Sequence, residues 1–245
     1  GYTGTKAHIE GPVLFLDALK ELHAIRMEEE ALWIGAGATM SEILGFPGVP
    51  ELLRQSLALI AAPALRNRAT LGGNICNASP AADSLPPLYV HEAQLMTMSS
   101  SGERMVPVEE FFTGPGKTTL NEQEILYGIR IPLLPEGRLY YRKVGTRRAN
   151  ALSKLSAAGY ARIEAGKIAD FRFSLGAVAP TVLRLPEAEA ALLGSPTGAI
   201  EATRIMELAE PRVRPIDDQR STATYRKRVA LNALAEFLYQ LSEEQ

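Results

Sequence analysis

Apolar residues recur along this chain with two periods, and the changes between them mark its elements. VLFLDALKELHAI (13–25) reads as a short strand running into a turn of helix, and ALWIGAGATMSEI (31–43) as a strand, a glycine turn and a helix capped near Thr39 or Ser41. Residues 1–45 thus read as a small α/β unit. PELLRQSLALIAAPALRNRAT (50–70) places Leu53, Leu57 and Ile60 at helical spacing and ends in a basic, proline-containing segment that leads into a glycine loop. QLMTMSSSGERMVPVEEFF (94–112) alternates and breaks at Ser-Gly, the pattern of a hairpin, and EILYGIRIP (124–132) is a strand stopped by Pro132.

The character changes after LLPEGR (133–138). RLYYRKVG (138–145) and ADFRFSLGAVAP (169–180) alternate as strands with one exposed face, with Phe171, Phe173 and Leu175 on one side and Arg172 and Ser174 on the other. These predict an antiparallel sheet. TATYRKRVALNALAEFLYQL (222–241) spaces Tyr225, Val229, Ala233, Phe237 and Leu241 four apart, the stripe of a core-packing helix. Two domains follow, 1–138 and 139–245, in an α+β chain without internal repeats.

With 245 residues, 46% of them hydrophobic, the chain can bury a core without disulfides or metals. A formal net charge of −2 offers no field for nucleic acid, and its basic residues fall in short pairs such as Arg147-Arg148. No apolar run reaches the roughly 20 residues that cross a bilayer, and Gly1 opens no signal peptide, so no membrane partner and a cytoplasmic location are expected. The lone cysteine, Cys76, excludes an iron–sulfur cluster held by this chain alone. His8, His23 and His91 have no metal-ligand spacing, so no metal site is expected and any redox chemistry falls to an organic cofactor.

Three glycine motifs invite a phosphate. GPGKTT (114–119) lacks the upstream glycine of a P-loop, with Phe111 in its place, and GAGATM (35–40) lacks the third glycine of a dinucleotide fingerprint, so a tight turn explains it better. ATLGGNICNASPAAD (69–83) has more to offer. Gly72 and Gly73 would let backbone amides approach a pyrophosphate, Thr70 would add a hydroxyl, Asn74 an amide, and Asp83 an acceptor for ribose or ribityl hydroxyls. A simple turn is the competing reading of the same residues.

RNRATLGGNICNASPAADSLPPL (66–88), VPVEEFFTGPGKTTLNEQEILYGIRIP (106–132), YYRKVGTRRANALSKLSAAGYARIE (140–164) and LGAVAP (175–180) together resemble the FAD-binding medium subunit of the molybdenum hydroxylases. That family includes carbon monoxide dehydrogenase, xanthine dehydrogenase and quinoline oxidoreductase, and the resemblance runs from about Ile34 to Leu241. It implies a vanillyl-alcohol-oxidase-type flavin domain of two α/β subdomains, followed by a C-terminal domain of antiparallel sheet and helices. It also assigns Thr70, Gly72 and Gly73 to the FAD pyrophosphate, and Asn74 and Asp83 to the ribityl chain and nearby phosphate. Leu126 is placed near the isoalloxazine and Lys143 at its pyrimidine edge, where a cation would stabilise the anionic reduced flavin and raise its potential.

Family members begin with a further strand and helix and a second phosphate loop of the type A-G-G-T-D. GYTGT (1–5) resembles that loop faintly, and the sequence is expected to hold only part of the segment. The implied function is an electron relay: from a molybdopterin large subunit, through a 2Fe-2S small subunit and FAD, to NAD or another acceptor. A flavin-free structural subunit and a standalone FAD reductase of the same fold stay open beside it. A flavin spectrum would separate the first, and a substrate-side acid with a nicotinamide pocket in one chain the second.

Overall fold

The computed structural model describes residues 13–147 and 150–243, so the GYTGT segment and His8 lie outside the described residues. Strand β1 (Ile25–Met27) pairs antiparallel with β2 (Ala31–Gly35), which is buried at all five positions. Between Val13 and Ile25 the expected order of strand then helix is corrected. A single 3-10 turn at Lys20–His23 comes first and β1 follows it, while Val13, Leu14 and Phe15 are exposed.

Helices α1 (Met40–Gly45) and α2 (Glu51–Ala58) follow, α1 capped at Thr39 as expected, by a reciprocal box in which the Thr39 hydroxyl accepts from the Glu42 amide and Glu42 accepts from the Thr39 amide. α2 ends before Ile60, because the backbone turns left-handed at Ala61 with φ of 49°. Short α3 (Pro63–Arg66) and α4 (Leu71–Cys76) carry the chain through the glycine stretch to α5 (Leu85–Val90).

β3 (Gln94–Ser99) and β4 (Gly102–Pro107) form the expected hairpin. α6 (Val108–Phe111) then leads into a two-stranded ribbon, β5 (Phe112–Gly114) with β6 (Lys117–Thr118), that contains the GPGKTT segment as a turn at Gly116, whose φ is +69°. β7 (Ile125–Pro132) returns between β2 and β3, giving a five-stranded antiparallel sheet in the order β1-β2-β7-β3-β4. Gly128 in β7 is dictated by packing, since a Cβ there would lie 2.2 Å from the Trp33 ring. Among the described residues the sheet ends at three-residue β1 on one side and at exposed β4 on the other.

The C-terminal sheet runs β11-β10-β9-β8, built from β8 (Arg138–Gly145), β9 (Ser153–Glu164), β10 (Lys167–Gly176) and β11 (Leu183–Arg184). α7 (Pro186–Leu192), α8 (Ala202–Ala209) and α9 (Ala223–Glu243) cover its inner face. There Phe237 of α9 stacks 5.4 Å from Tyr140 and 5.5 Å from Phe171, over Gly159, where a Cβ would come within 2.7 Å of the ring. The α9 stripe is as expected at Ala233, Phe237 and Leu241, whereas Tyr225 is exposed, and Arg226 is buried in its place against Asp218.

The outer face is not exposed, which corrects the reading of these strands as half solvated. It lies on α2 and α5, and Leu52, Val90, Ala158 and Tyr160 form a small core there. Arg172 donates to the Val90 carbonyl at 3.1 Å and Arg184 to the Tyr89 carbonyl at 3.2 Å, so two cations meet the orphan carbonyls and negative dipole end of α5. His91, next in the chain, bonds through Nδ1 to the Pro132 carbonyl at 2.8 Å, and burial pushes its ring down to about 4.

The β8–β9 pairing slips between Val144 and Gly145, where β9 holds one extra residue. Lys154 therefore lies on the same side as Leu155, over the Tyr225 ring of α9 at 5.0 Å, and Ser153 turns to the outer face.

Candidate functional site

The glycine stretch folds as α4, not as an open nest. Small residues let it zip against the turn after β2: Leu71 donates to the Ala38 carbonyl, Gly72 to the Ala36 carbonyl, and Met40 to the Ala69 carbonyl. A Cβ on Gly72 would lie 2.5 Å from the Ala36 oxygen, so this glycine is required by packing. The Gly73 amide donates to the capping Thr70 hydroxyl at 2.9 Å, and the Asn74 amide to the Thr70 carbonyl. The amides that the sequence offers to a pyrophosphate are thus engaged within the chain.

What faces outward at this turn is the exposed backbone of Gly73, the half-buried Thr70 hydroxyl, which still has a proton to donate, and Asn74. The Asn74 side-chain oxygen accepts from Ser84 at 2.6 Å, leaving its NH2 as the available donor.

Asp83 and Lys143, 60 residues apart in sequence, are brought together. Asp83 precedes α5, Lys143 lies on the outer face of β8, and their side chains are 8% and 10% exposed, with Lys143 Nζ 2.7 Å from Asp83 Oδ2. Lys143 also donates to the Leu59 carbonyl at the end of α2, at 2.8 Å, and Ser153 donates to Asp83 Oδ1 at 2.5 Å. Ser56 of α2 donates to the Asp83 main-chain carbonyl. Beside them the Tyr141 hydroxyl is buried with no hydrogen-bond partner among the described residues, and burial, reinforced by the Asp83 charge, holds its proton on far above the ordinary phenol range.

A cleft of about 670 Å³ adjoins this group, lined by Leu59, Lys143, Gly145 and Arg147 and by Tyr225 and Glu236 of α9. Leu126 is apart from the pair: it is 5% exposed in β7, within the N-terminal core that also holds Leu71, Ile75 and Ala82.

Residues 5–134 match the family model described as the FAD binding domain in molybdopterin dehydrogenase, and residues 140–241 match that of the CO dehydrogenase flavoprotein C-terminal domain. The chain belongs to the FAD-binding subunits of the molybdenum hydroxylases.

Among its relatives in this family is the putative xanthine dehydrogenase FAD-binding subunit of Escherichia coli K12, 33% identical over 216 residues that cover 85% of this chain and 73% of that protein. The carbon monoxide dehydrogenase medium chain of Hydrogenophaga pseudoflava is 29% identical over 218 residues, covering 88% and 76%. The fold superposes on the crystal structure of the Cu,Mo-CO dehydrogenase in its cyanide-inactivated form with a TM-score of 0.85 at 27% identity, covering 92% of this chain and 80% of that one. The chain is thus an oxidoreductase subunit of mixed helix and sheet, from a family whose cofactor is FAD.

The residues present fit that cofactor. The exposed Gly73 leaves room for phosphate and hydroxyl oxygens that donors at Thr70 and Asn74 suit, and Lys143 borders a cleft of ligand size, with the unpartnered Tyr141 hydroxyl buried behind it near Asp83. Sequence reasoning missed Ser56, Tyr141 and Ser153. Tyr141 could have been found, because it shares the strand face of Lys143; Ser153 carries no such signal, because the bulge reverses its side.

Proposed function

We propose that the chain is the flavin step of an electron relay, taking electrons from the iron–sulfur clusters of a small partner subunit, which draws them from a molybdopterin large subunit, and passing them to NAD or another acceptor in the cytoplasm. The observation that carries this reading is the meeting of Asp83 and Lys143 in one buried group at the domain junction. Two residues that the family resemblance places on one cofactor, far apart in the chain, share a site built by α2, the segment before α5, and β8.

Thr70, Gly73 and Asn74 would hold the phosphate end, with Gly72 shaping the turn beneath, Asp83 the ribityl chain, and Lys143 the pyrimidine edge of the ring, with Leu126 in the apolar wall. Bound FAD supplies the exchange between paired and single electrons that a nicotinamide and an iron–sulfur cluster cannot make directly. Lys143 puts a cation beside the ring, and Asp83 fixes where that cation sits.

Co-expression with genes for a cysteine-rich subunit and a molybdenum subunit tests the assignment. The three chains should copurify, with flavin absorption that bleaches on adding the complex's organic substrate and returns with the acceptor. A copurified complex without flavin, or an isolated chain that oxidises an organic substrate at full rate, would overturn it.

A further inference from the structure

An ammonium group has three protons to donate. On Lys143 one goes to Asp83 Oδ2 at 2.7 Å and one to the Leu59 carbonyl at 2.8 Å, which leaves, among the described residues, a single proton whose direction the first two determine. The anchor of this geometry is the Asp83 carboxylate, and its own rotation is set by its other oxygen, which accepts from Ser153 at 2.5 Å. Ser153 is 1% exposed, and the β-bulge at Val144/Gly145 is what turns it toward Asp83.

We propose that Ser153 is a positioning residue for the flavin: by fixing the Asp83 carboxylate it aims the one free proton of Lys143 at the ring. This rests on the flavin reading above and adds to it a buried residue that acts through Asp83 and Lys143. The same geometry qualifies the expectation for Lys143. Its charge is paired with a carboxylate at contact distance, so what a ring would feel is a directed N–H more than a net cation, and the orientation of that donor matters more than its charge.

The test compares wild type, Ser153→Ala, Lys143→Met and the double variant in the full, flavin-loaded protein, by flavin midpoint potential at full occupancy and by the FAD dissociation constant. Ser153→Ala should lower the potential and weaken FAD binding by about tenfold, the scale of one hydrogen bond to a charged group. Ser153→Cys, which keeps a weak donor at the same place, should recover part of both. In the Lys143→Met background the potential shift from Ser153→Ala should vanish, since the residue acts through the lysine.

Equal potentials in wild type and Ser153→Ala, or a shift that persists without Lys143, would overturn the proposal and leave the flavin reading intact. A wild-type protein that takes up no flavin would overturn that reading, and this proposal with it. A change in melting temperature alone, with potential and affinity unmoved, would make Ser153 a structural residue and also overturn it.

Discussion

On the inner face of the C-terminal sheet, Tyr140, Phe171 and Phe173 stack with Phe237 at centroid distances of 5.4 to 6.2 Å, and the contacts are almost wholly apolar. On the outer face of the same strands, Lys143, Ser153 and Arg172 meet a carboxylate and main-chain carbonyls from the N-terminal domain. The inner face gains from area removed from water, is non-directional and tolerates reshaping. The outer face gains little net energy from each polar contact but loses heavily if one partner is taken away, and it holds its groups in one geometry. A sheet can therefore carry most of its apolar stability on one side and a fixed polar geometry on the other.

Removing the Phe173 ring should break the inner face alone. Phe173→Ala is expected to cost about 3–5 kcal/mol of stability, measured by urea unfolding, while the folded protein keeps its affinity for FAD. Loss of flavin binding at temperatures where the variant is still folded would show that the two faces are not separable.

The outer face should be the acid-sensitive one. His91 is held neutral in the folded chain, its ring pushed down to about 4, mainly by burial and further by Arg172, against an ordinary value of 6.5. Below 6.5 the unfolded chain binds a proton that the folded chain refuses, so stability falls as the pH drops through this window, by roughly 3 kcal/mol at its lower end. Unfolding curves at several pH values should show a shallower acid loss in His91→Gln than in wild type; parallel losses would assign the acid sensitivity elsewhere.

The smallest of these effects falls on binding. Asp83→Ala should weaken FAD by about 1.5–3 kcal/mol in a fluorescence titration, because a charged acceptor is lost and Lys143 loses its anchor. An unchanged dissociation constant would return Asp83 to a purely structural role at the junction.

How much of this could be read from the sequence depended on whether the signal was local. The alternation of Phe171, Phe173 and Leu175, the Thr39 cap, the β3–β4 hairpin and most of the α9 stripe depend on neighbours within a few residues, and each is found in the structure. The reading of Arg172 and Ser174 as a solvated face failed because alternation tells which residues share a side and not what covers it. α4 was missed because its two glycines disfavour a helix, and the backbone bonds to Ala36 and Ala38 that hold it come from 36 and 33 residues upstream.

At the candidate site, Asp83 was offered by its stretch of small residues and Lys143 by a resemblance, and no spacing rule could pair them. Ser153 was hidden by one extra residue in β9, since counting by twos from Leu155 places it in the aromatic core.

The end strands of the N-terminal sheet, as the described residues form it, bear on how this chain behaves when it is made in quantity. β1 is too short to template another strand, but β4, six residues long and mostly exposed, is long enough to recruit a strand from a second copy and begin a fibrous aggregate. Its sequence, GERMVP, sets two adjacent charges along that rim and ends it with a proline that has no amide hydrogen to give, and Arg104 is further tied back to Glu124 at 2.8 Å. Replacing Glu103 with an apolar residue would leave the folded molecule almost as it is and make its concentrated solutions sticky.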